Sequence, residues 1–417
     1  MEIKRDYYLN KLIKAKQDGL IKVVTGIRRC GKSYLLNELF YKHLIETGVN
    51  EDHIIKVAVD DDENTEFLKP KKLSEYIKSK IKDKELYYII IDEVQLAPNF
   101  EAVLNGLLRI QNVDIYVTGS NSKFLSTDII TEFRGRGEEI RVYPLSFAEF
   151  MSVYDGEKME GWTEYITYGG LPLVVLMKDD ERKDAYLKEQ QQNVYINDVI
   201  ERHNISNESS VITQMVKIIS SSIGSLTNPK KISDTFKSEL DIDVAPATIS
   251  SYLKYLEEAF LIENAERYDI KGRKYISTPS KYYFSDLGLR NSFINFRQQE
   301  ETHIMENAIY LELKRRGYQV DVGVVEQRTK ENDKLTYKQL EIDFIANKGS
   351  NKIYIQSAFA MPDEEKRQQE ERPLLKINDS FKKFIIVKDF IKRWRDEEGI
   401  ITMSIFDFLL DMESLNY

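Results

Sequence analysis

Gly26-x-x-x-x-Gly31-Lys32-Ser33 sits between an apolar run and the opening of an amphipathic stretch, within IKVVTGIRRCGKSYLL over 21–36. Each residue type there suits one part of a triphosphate. The glycines let the chain turn tightly, so that N–H groups over Gly26, Ile27, Arg28, Arg29, Cys30, Gly31, Lys32, Ser33 and Tyr34 converge on an anion. The helix that follows adds the positive end of its dipole. Lys32 would reach the β- and γ-phosphates, and the Ser33 hydroxyl would ligate Mg²⁺. ATP and Mg²⁺ are the expected ligands.

Three further segments carry complementary chemistry. YIIIDEV over 88–94 is an apolar strand ending in two carboxylates, at the strand edge where ligands of open α/β sheets bind. Asp92 would hold the Mg²⁺ shell through water, and Glu93 would orient and partly deprotonate the attacking water. DIYVTGSN over 114–121 ends in small polar groups. Ser120 or Asn121 there would contact the γ-phosphate or the lytic water, or else form a hydrogen-bonded turn. In FRGRGEEIR over 133–141, glycines flank Arg136. That arginine would serve as a finger on a neighbouring copy's γ-phosphate, or belong to an exposed salt-bridging loop.

These residues need elements to position them. Over 1–150, strands are expected at 22–25, 54–59, 87–91, 114–118 and 139–143, with helices around 32–45, 72–81 and 100–110. Nearly continuous apolar runs such as YYIII belong to strands covered on both faces. Alternation of strand and helix predicts a parallel sheet with helices on both sides. Residues 151–205 carry apolar positions at helical spacing, broken once at Gly169-Gly170-Leu171-Pro172. From 206 to 298, three helices followed by a β-hairpin describe a winged helix-turn-helix. ATISSYLKY over 247–255 would be its recognition helix, with Thr248, Ser250, Ser251 and Lys254 as polar positions, and Lys271, Arg273 and Lys274 would sit on the wing near phosphates. Only Lys254 is basic on that helix, so DNA reading and protein docking both stand. After 299 come a helix over 304–316, strands near 319–326, 341–347 and 352–359, a hairpin loop at 328–334, a charged helix, a strand at 384–387 and a terminal helix.

A chain of 417 residues suggests two to four domains. Its net charge of −9 places any nucleic-acid contact on a local basic patch. Cys30 is the single cysteine, which excludes an intrachain disulfide and fits a reducing compartment. The histidines are scattered without ligand spacing and receive no metal. MEIKRDYYLNKL has no apolar signal core, and no run approaches the ~18–20 apolar residues of a membrane span. The expected location is the cytosol, with no membrane partner.

In order, GIRRCGKS, IIIDEVQ, TGSNSKFL, GRGEEIRVYPLSFAEF and GGLP resemble bacterial and archaeal AAA-like ATPases that join an AAA_14 module to a C-terminal DUF4143 domain. The resemblance implies an α/β P-loop NTPase core of AAA+ type over 1–150, a helical lid over 151–205, the winged helix over 206–298, and a degenerate PD-(D/E)xK restriction-endonuclease-like domain over 299–417. By motif, Lys32 and Ser33 carry over as nucleotide and Mg²⁺ contacts, Asp92 and Glu93 as the metal-shell and water-activating pair, and Arg136 as an arginine finger, which implies a homo-oligomer. A nuclease of that fold needs a helical Glu, a strand-end Asp and a Glu-x-Lys. Glu306 and Asp343 stand in suitable places, but Gln356-Ser357-Ala358 replaces the third element. Gln is a poor Mg²⁺ ligand and Ala358 has no amine, so the fold is expected without cleavage. The output of turnover then has two readings: action on DNA through the winged helix, or a nucleotide-gated switch for protein partners with little turnover.

Overall fold

The computed structural model describes residues 2–119, 133, 135–205, 209–297, 300–331 and 334–416. The chain divides into two compact units. One comprises Met1–Pro144 with Leu171–Leu173 and Glu258–Phe260, and the other Leu145–Gly170, Val174–Glu257 and Leu261–Tyr417. The four segments expected from the sequence thus lie within two units.

In the first unit, β1 (Ile21–Thr25), β2 (Ile54–Ala58), β3 (Tyr87–Asp92), β4 (Val113–Thr118) and β5 (Gly137–Arg141) form a sheet in the order β2-β3-β4-β1-β5. Every pairing is parallel. Each residue of β1 and β3 is buried, as the unbroken apolar runs require of strands covered on both faces. Helices Pro70–Lys80 and Phe100–Leu107 pack Leu73, Ile77, Val103 and Leu104 into the same core as Ile89, Ile91 and Val117. Lys22 breaks the apolar pattern of β1, and its ammonium is fully buried. It is neutralised by Asp114 at 2.5 Å and Asp18 at 2.8 Å, while Tyr116 donates to Asp114 at 2.9 Å. Because all five strands run the same way, the segments following β1, β3 and β4 leave along one edge, where Val24 lies beside Thr118 and Ile91 beside Val117.

The second unit begins with helices Phe147–Met151 and Lys158–Tyr168. The Gly169-Gly170 pair ends the latter for a steric reason. Gly169 has φ +78°, and a Cβ on it would stand 2.3 Å from Asp286 Oδ1. A Cβ on Gly288 would stand 2.0 Å from the Tyr168 carbonyl oxygen. Asn291 donates to the carbonyls of Ile166 (2.7 Å) and Thr167 (2.9 Å), closing the helix end. The Asp286 carboxylate accepts from Gly170 N–H at 2.8 Å and Leu289 N–H at 3.0 Å, capping helix Leu287–Phe293.

Burial pushes the Asp286 carboxyl up to about 6, against the pull of its backbone N–H partners. Its folded-state pKa therefore lies above its unfolded value of 3.8. Ionisation favours the unfolded chain, so this group's contribution to stability grows as pH falls from 7 towards 4, by up to about 3 kcal/mol. Unfolding free energies of the wild type and Asp286→Asn should diverge over that range, with the wild type gaining relative to the variant. Parallel curves would contradict the assignment.

Helices Ser209–Ser221, Pro229–Leu240 and Pro246–Glu258 precede a hairpin of β6 (Ile262–Asp269) and β7 (Lys274–Phe284). That element order matches the expected one, yet the hairpin does not stand apart. β6 also pairs in parallel with β8 (Gln319–Glu331), Arg267 beside Val322 and Asp269 beside Val324. With β9 (Lys334–Lys348), β10 (Asn351–Ala358), β11 (Lys382–Val387), β12 (Trp394–Arg395) and β13 (Ile400–Ser404), it joins one sheet ordered β12-β13-β11-β10-β9-β8-β6-β7. The boundary expected at 298/299 is thus spanned by continuous backbone hydrogen bonding. The loop expected at 328–334 is instead the end of a long hairpin, paired out to Glu331 and Lys334. Backbone pairing holds there without the apolar alternation that marks a strand in sequence. No helix among the described residues is long and apolar enough to cross a membrane.

Candidate nucleotide site

The phosphate loop leaves β1 with Gly26 at φ +140° and enters its helix with Gly31 at φ +96°. A Cβ on Gly26 would lie 2.1 Å from the Val142 carbonyl oxygen, so only glycine fits against the chain leaving β5. Arg29 also has a positive φ, +66°, at the crest of the loop. Cys30 is fully buried, its thiol 3.4 Å from the Val142 carbonyl, a packing role that suits a small side chain. Ile27 is buried, Arg28 half-buried, and Arg29 and Tyr34 are exposed. Lys32 is buried, and its ammonium donates to the carbonyls of Gly26 at 3.1 Å and Ile27 at 3.2 Å. The positive charge thus lies across the loop's own curve.

The helix after the loop, over 32–46, is anchored by Leu35, Leu36, Leu39, Phe40 and Leu44. Its first turn brings the Ser33 hydroxyl 3.1 Å from Asp92 Oδ1. Asn37, one turn on, donates to Asp92 Oδ2 at 3.3 Å, and Thr118 donates to Oδ1. Burial raises the Asp92 carboxyl, while the Thr118 and Ser33 hydroxyl bonds pull it down. A serine hydroxyl beside a buried carboxylate is a hard-oxygen donor set of the kind Mg²⁺ takes, with water completing the octahedron. These residues fit the ion.

Glu93 adopts a left-handed backbone, φ +50° and ψ +43°. Its N–H donates to Thr118 Oγ1 at 2.8 Å, and its carbonyl accepts from Leu96 N–H at 3.0 Å. The carboxylate is half-buried and accepts from the side-chain amide of Gln95.

Three groups that hold this site lie outside the expected set of ligands. Thr118 joins Asp92 to Glu93. Pro172 lies 3.6 Å from where a Cβ on Gly31 would stand, against the end of the loop. Arg5 is buried, and its guanidinium donates to the carbonyls of Cys30 at 3.0 Å and Tyr143 at 2.7 Å. That bridge ties the loop to the segment after β5 with two charge-assisted bonds. Arg5→Ala should therefore weaken nucleotide binding about tenfold through loss of loop order, roughly 1.4 kcal/mol. Titration calorimetry checks this, and unchanged affinity would rule out the bridge as a loop support.

Arg136 stands elsewhere. Its carbonyl accepts the Ile21 N–H at 2.8 Å, and Gly137 pairs with Ile21, the first residue of β1. The phosphate loop follows the last residue of β1, five positions along, or about 16 Å of strand. Arg136 is exposed at the opposite end of the sheet from its own loop, so a finger role is open to it only towards a second copy. Ser120 and Asn121 lie outside the described residues.

In the second unit, Glu306 and Asp343 do converge, on a lysine. Lys281 Nζ lies 2.8 Å from Glu306, 2.8 Å from Glu341 and 3.6 Å from Asp343. Tyr283 donates to Glu306 at 2.5 Å, and Ser357 N–H to Asp343 at 2.8 Å. Burial would raise Glu306, but the Lys281 charge holds it low, whereas burial and the Glu306 charge push Asp343 up to about 7. Of the positions expected on a winged helix, Ser250, Ser251, Lys254, Lys271, Arg273 and Lys274 are exposed and Thr248 is half-buried.

Residues 18–151 match the AAA_14 family, an AAA domain, and residues 159–300 match DUF8612, a domain of unknown function. The second match corrects the expected DUF4143 assignment and the restriction-endonuclease-like reading attached to it. GGLP, which suggested that assignment, is a backbone-packing motif in this fold. An uncharacterized protein of Haemophilus influenzae is 34% identical over 414 residues, 98% of each chain. The uncharacterized protein MJ1544 of Methanocaldococcus jannaschii is 30% identical over 368 residues, 84% of this chain and 77% of its own. Among solved structures, the Walker-type ATPase PABY2304 of Pyrococcus abyssi aligns with a TM-score of 0.49 and 15% identity, over 70% of this chain and 96% of that one. The Orc1 protein of Aeropyrum pernix, solved in complex with DNA, aligns with a TM-score of 0.29 and 14% identity, over 71% and 93%.

Proposed function

Because the chain belongs to one family with the uncharacterized protein of Haemophilus influenzae and its residues 18–151 match the AAA_14 domain, we propose that it is a Mg²⁺-dependent ATPase. The observation that carries this reading is the Ser33 hydroxyl resting on the buried Asp92 carboxylate beneath a loop whose own lysine lies across it. Loop N–H groups and Lys32 bind the phosphates. Ser33 and Asp92 would hold Mg²⁺, and the ion would supply positive charge to the phosphate oxygens. Glu93 accepts a proton from the attacking water. Arg136 of a second copy completes the charge around the γ-phosphate, which makes the active form an oligomer.

Hydrolysis is coupled to DNA through the face that presents Ser250, Ser251 and Lys254 and the turn bearing Lys271, Arg273 and Lys274. A second reading, a nucleotide-gated protein switch, is favoured by the single basic residue on that helix face and the net charge of −9. ATPase rates with and without duplex DNA at two salt concentrations decide between them. Stimulation that falls steeply with salt supports DNA coupling, and a slow, flat rate supports the switch. The Lys281 cluster is proposed to have no cleavage chemistry, since Gln356 stands where a carboxylate would ligate Mg²⁺ and Ala358 has no amine. A Mg²⁺-dependent nick in supercoiled plasmid, lost in Asp343→Ala, would refute that.

A further inference from the structure

We infer that Gln95 is the positioning residue for the water-activating carboxylate, fixing Glu93 through its side-chain amide. This rests on the reading of Glu93 as general base. The chain around Glu93 is constrained from both sides. Thr118 holds its N–H, the left-handed backbone turns the chain at once, and the 3-10 turn Val94–Leu96 closes on its carbonyl. Such a conformation is unfavourable for a non-glycine residue. Here it brings residue 95 back over residue 93. Gln95 is itself buried, at 8% exposure, and its amide lies against Glu93 Oε2.

Chemistry fixes which end of that amide faces the carboxylate. An ionised carboxylate only accepts, so the NH₂ group must point at it. The bond to Oε2 sets the plane of the Glu93 carboxylate, and with it the direction from which a water meets the base. A general base left to rotate would meet the water in fewer of its orientations. Gln95 touches neither phosphate nor metal in this scheme, so its effect must pass through Glu93 alone.

The test is a double-mutant cycle on the full chain, with single-turnover hydrolysis of radiolabelled ATP. Gln95→Met keeps length and removes the donor. It should lower kcat about tenfold while KM and the affinity for a non-hydrolysable ATP analogue stay within about twofold. In a Glu93→Gln background it should lower the residual rate no further. Gln95→Glu, the same shape without a donor, should reproduce the loss if Gln95→Met folds poorly. Unchanged kcat in both Gln95 variants, or the same tenfold drop with Glu93 already replaced, would overturn the role of Gln95 alone. Full turnover by Glu93→Gln by itself would instead remove the general-base reading.

Discussion

Lys32→Ala should bind ATP at least about 100-fold more weakly than the wild type while remaining folded. The size follows from what the ammonium does. It is a buried positive charge whose ammonium donates to the Gly26 and Ile27 carbonyls. A triphosphate replaces those neutral acceptors with anionic oxygens, and charge-assisted bonds to buried groups are worth roughly 1.5–3 kcal/mol each. Two of them account for a hundredfold or more. Removing the side chain loses two bonds to loop carbonyls at the sheet edge and none in the apolar core, so the melting temperature should shift by only a few degrees. Calorimetry and a thermal melt separate the two effects. A variant that binds ATP as the wild type does would show that the loop is not a triphosphate cradle.

Glu93→Gln should give the complementary phenotype, with ATP bound at wild-type affinity and turnover lowered by about 10²–10⁴. The amide matches the carboxylate in shape, and the backbone contacts of residue 93 with Thr118 and Leu96 involve main-chain atoms that the substitution leaves in place. What disappears is the capacity to accept a proton from water. Rapid-quench measurement of phosphate release, beside analogue binding, resolves the two quantities. Wild-type turnover would refute the assigned role.

The parts of this site that were legible in sequence are those whose members are neighbours along the chain. The loop Gly26–Ser33 and the pair Asp92-Glu93 each fit within one strand–turn segment, and a parallel sheet then brings strand ends together without further information. Thr118, Arg5 and Pro172 were illegible because topology alone delivers them. Arg5 meets a carbonyl 25 residues away and another 138 away, and nothing in ARG-type spacing marks such a bond. Arg136 shows the converse: its flanking glycines are visible in sequence, but only the register of β5 against β1 places it at the far end of the strand from its own loop.

The second unit repeats the lesson. Helices with apolar periodicity were found near their observed places, whereas the pairing of β6 with β8 and the short β12 carry no periodic signal. The acids Glu306 and Asp343 stand out in sequence, but their counter-charge, Lys281, comes from β7, 25 residues before Glu306. The Gly169-Gly170 step served as a family marker in sequence. Its physical cause, close approach to Asp286 and Leu145, needs the three-dimensional arrangement.

Titration of the purified full chain with ATP in the presence of Mg²⁺ tests the central claim most directly. Saturable heat at one nucleotide per chain, abolished by Lys32→Ala, is the predicted result. Absence of any binding heat for ATP with the wild-type chain would contradict the account at its root.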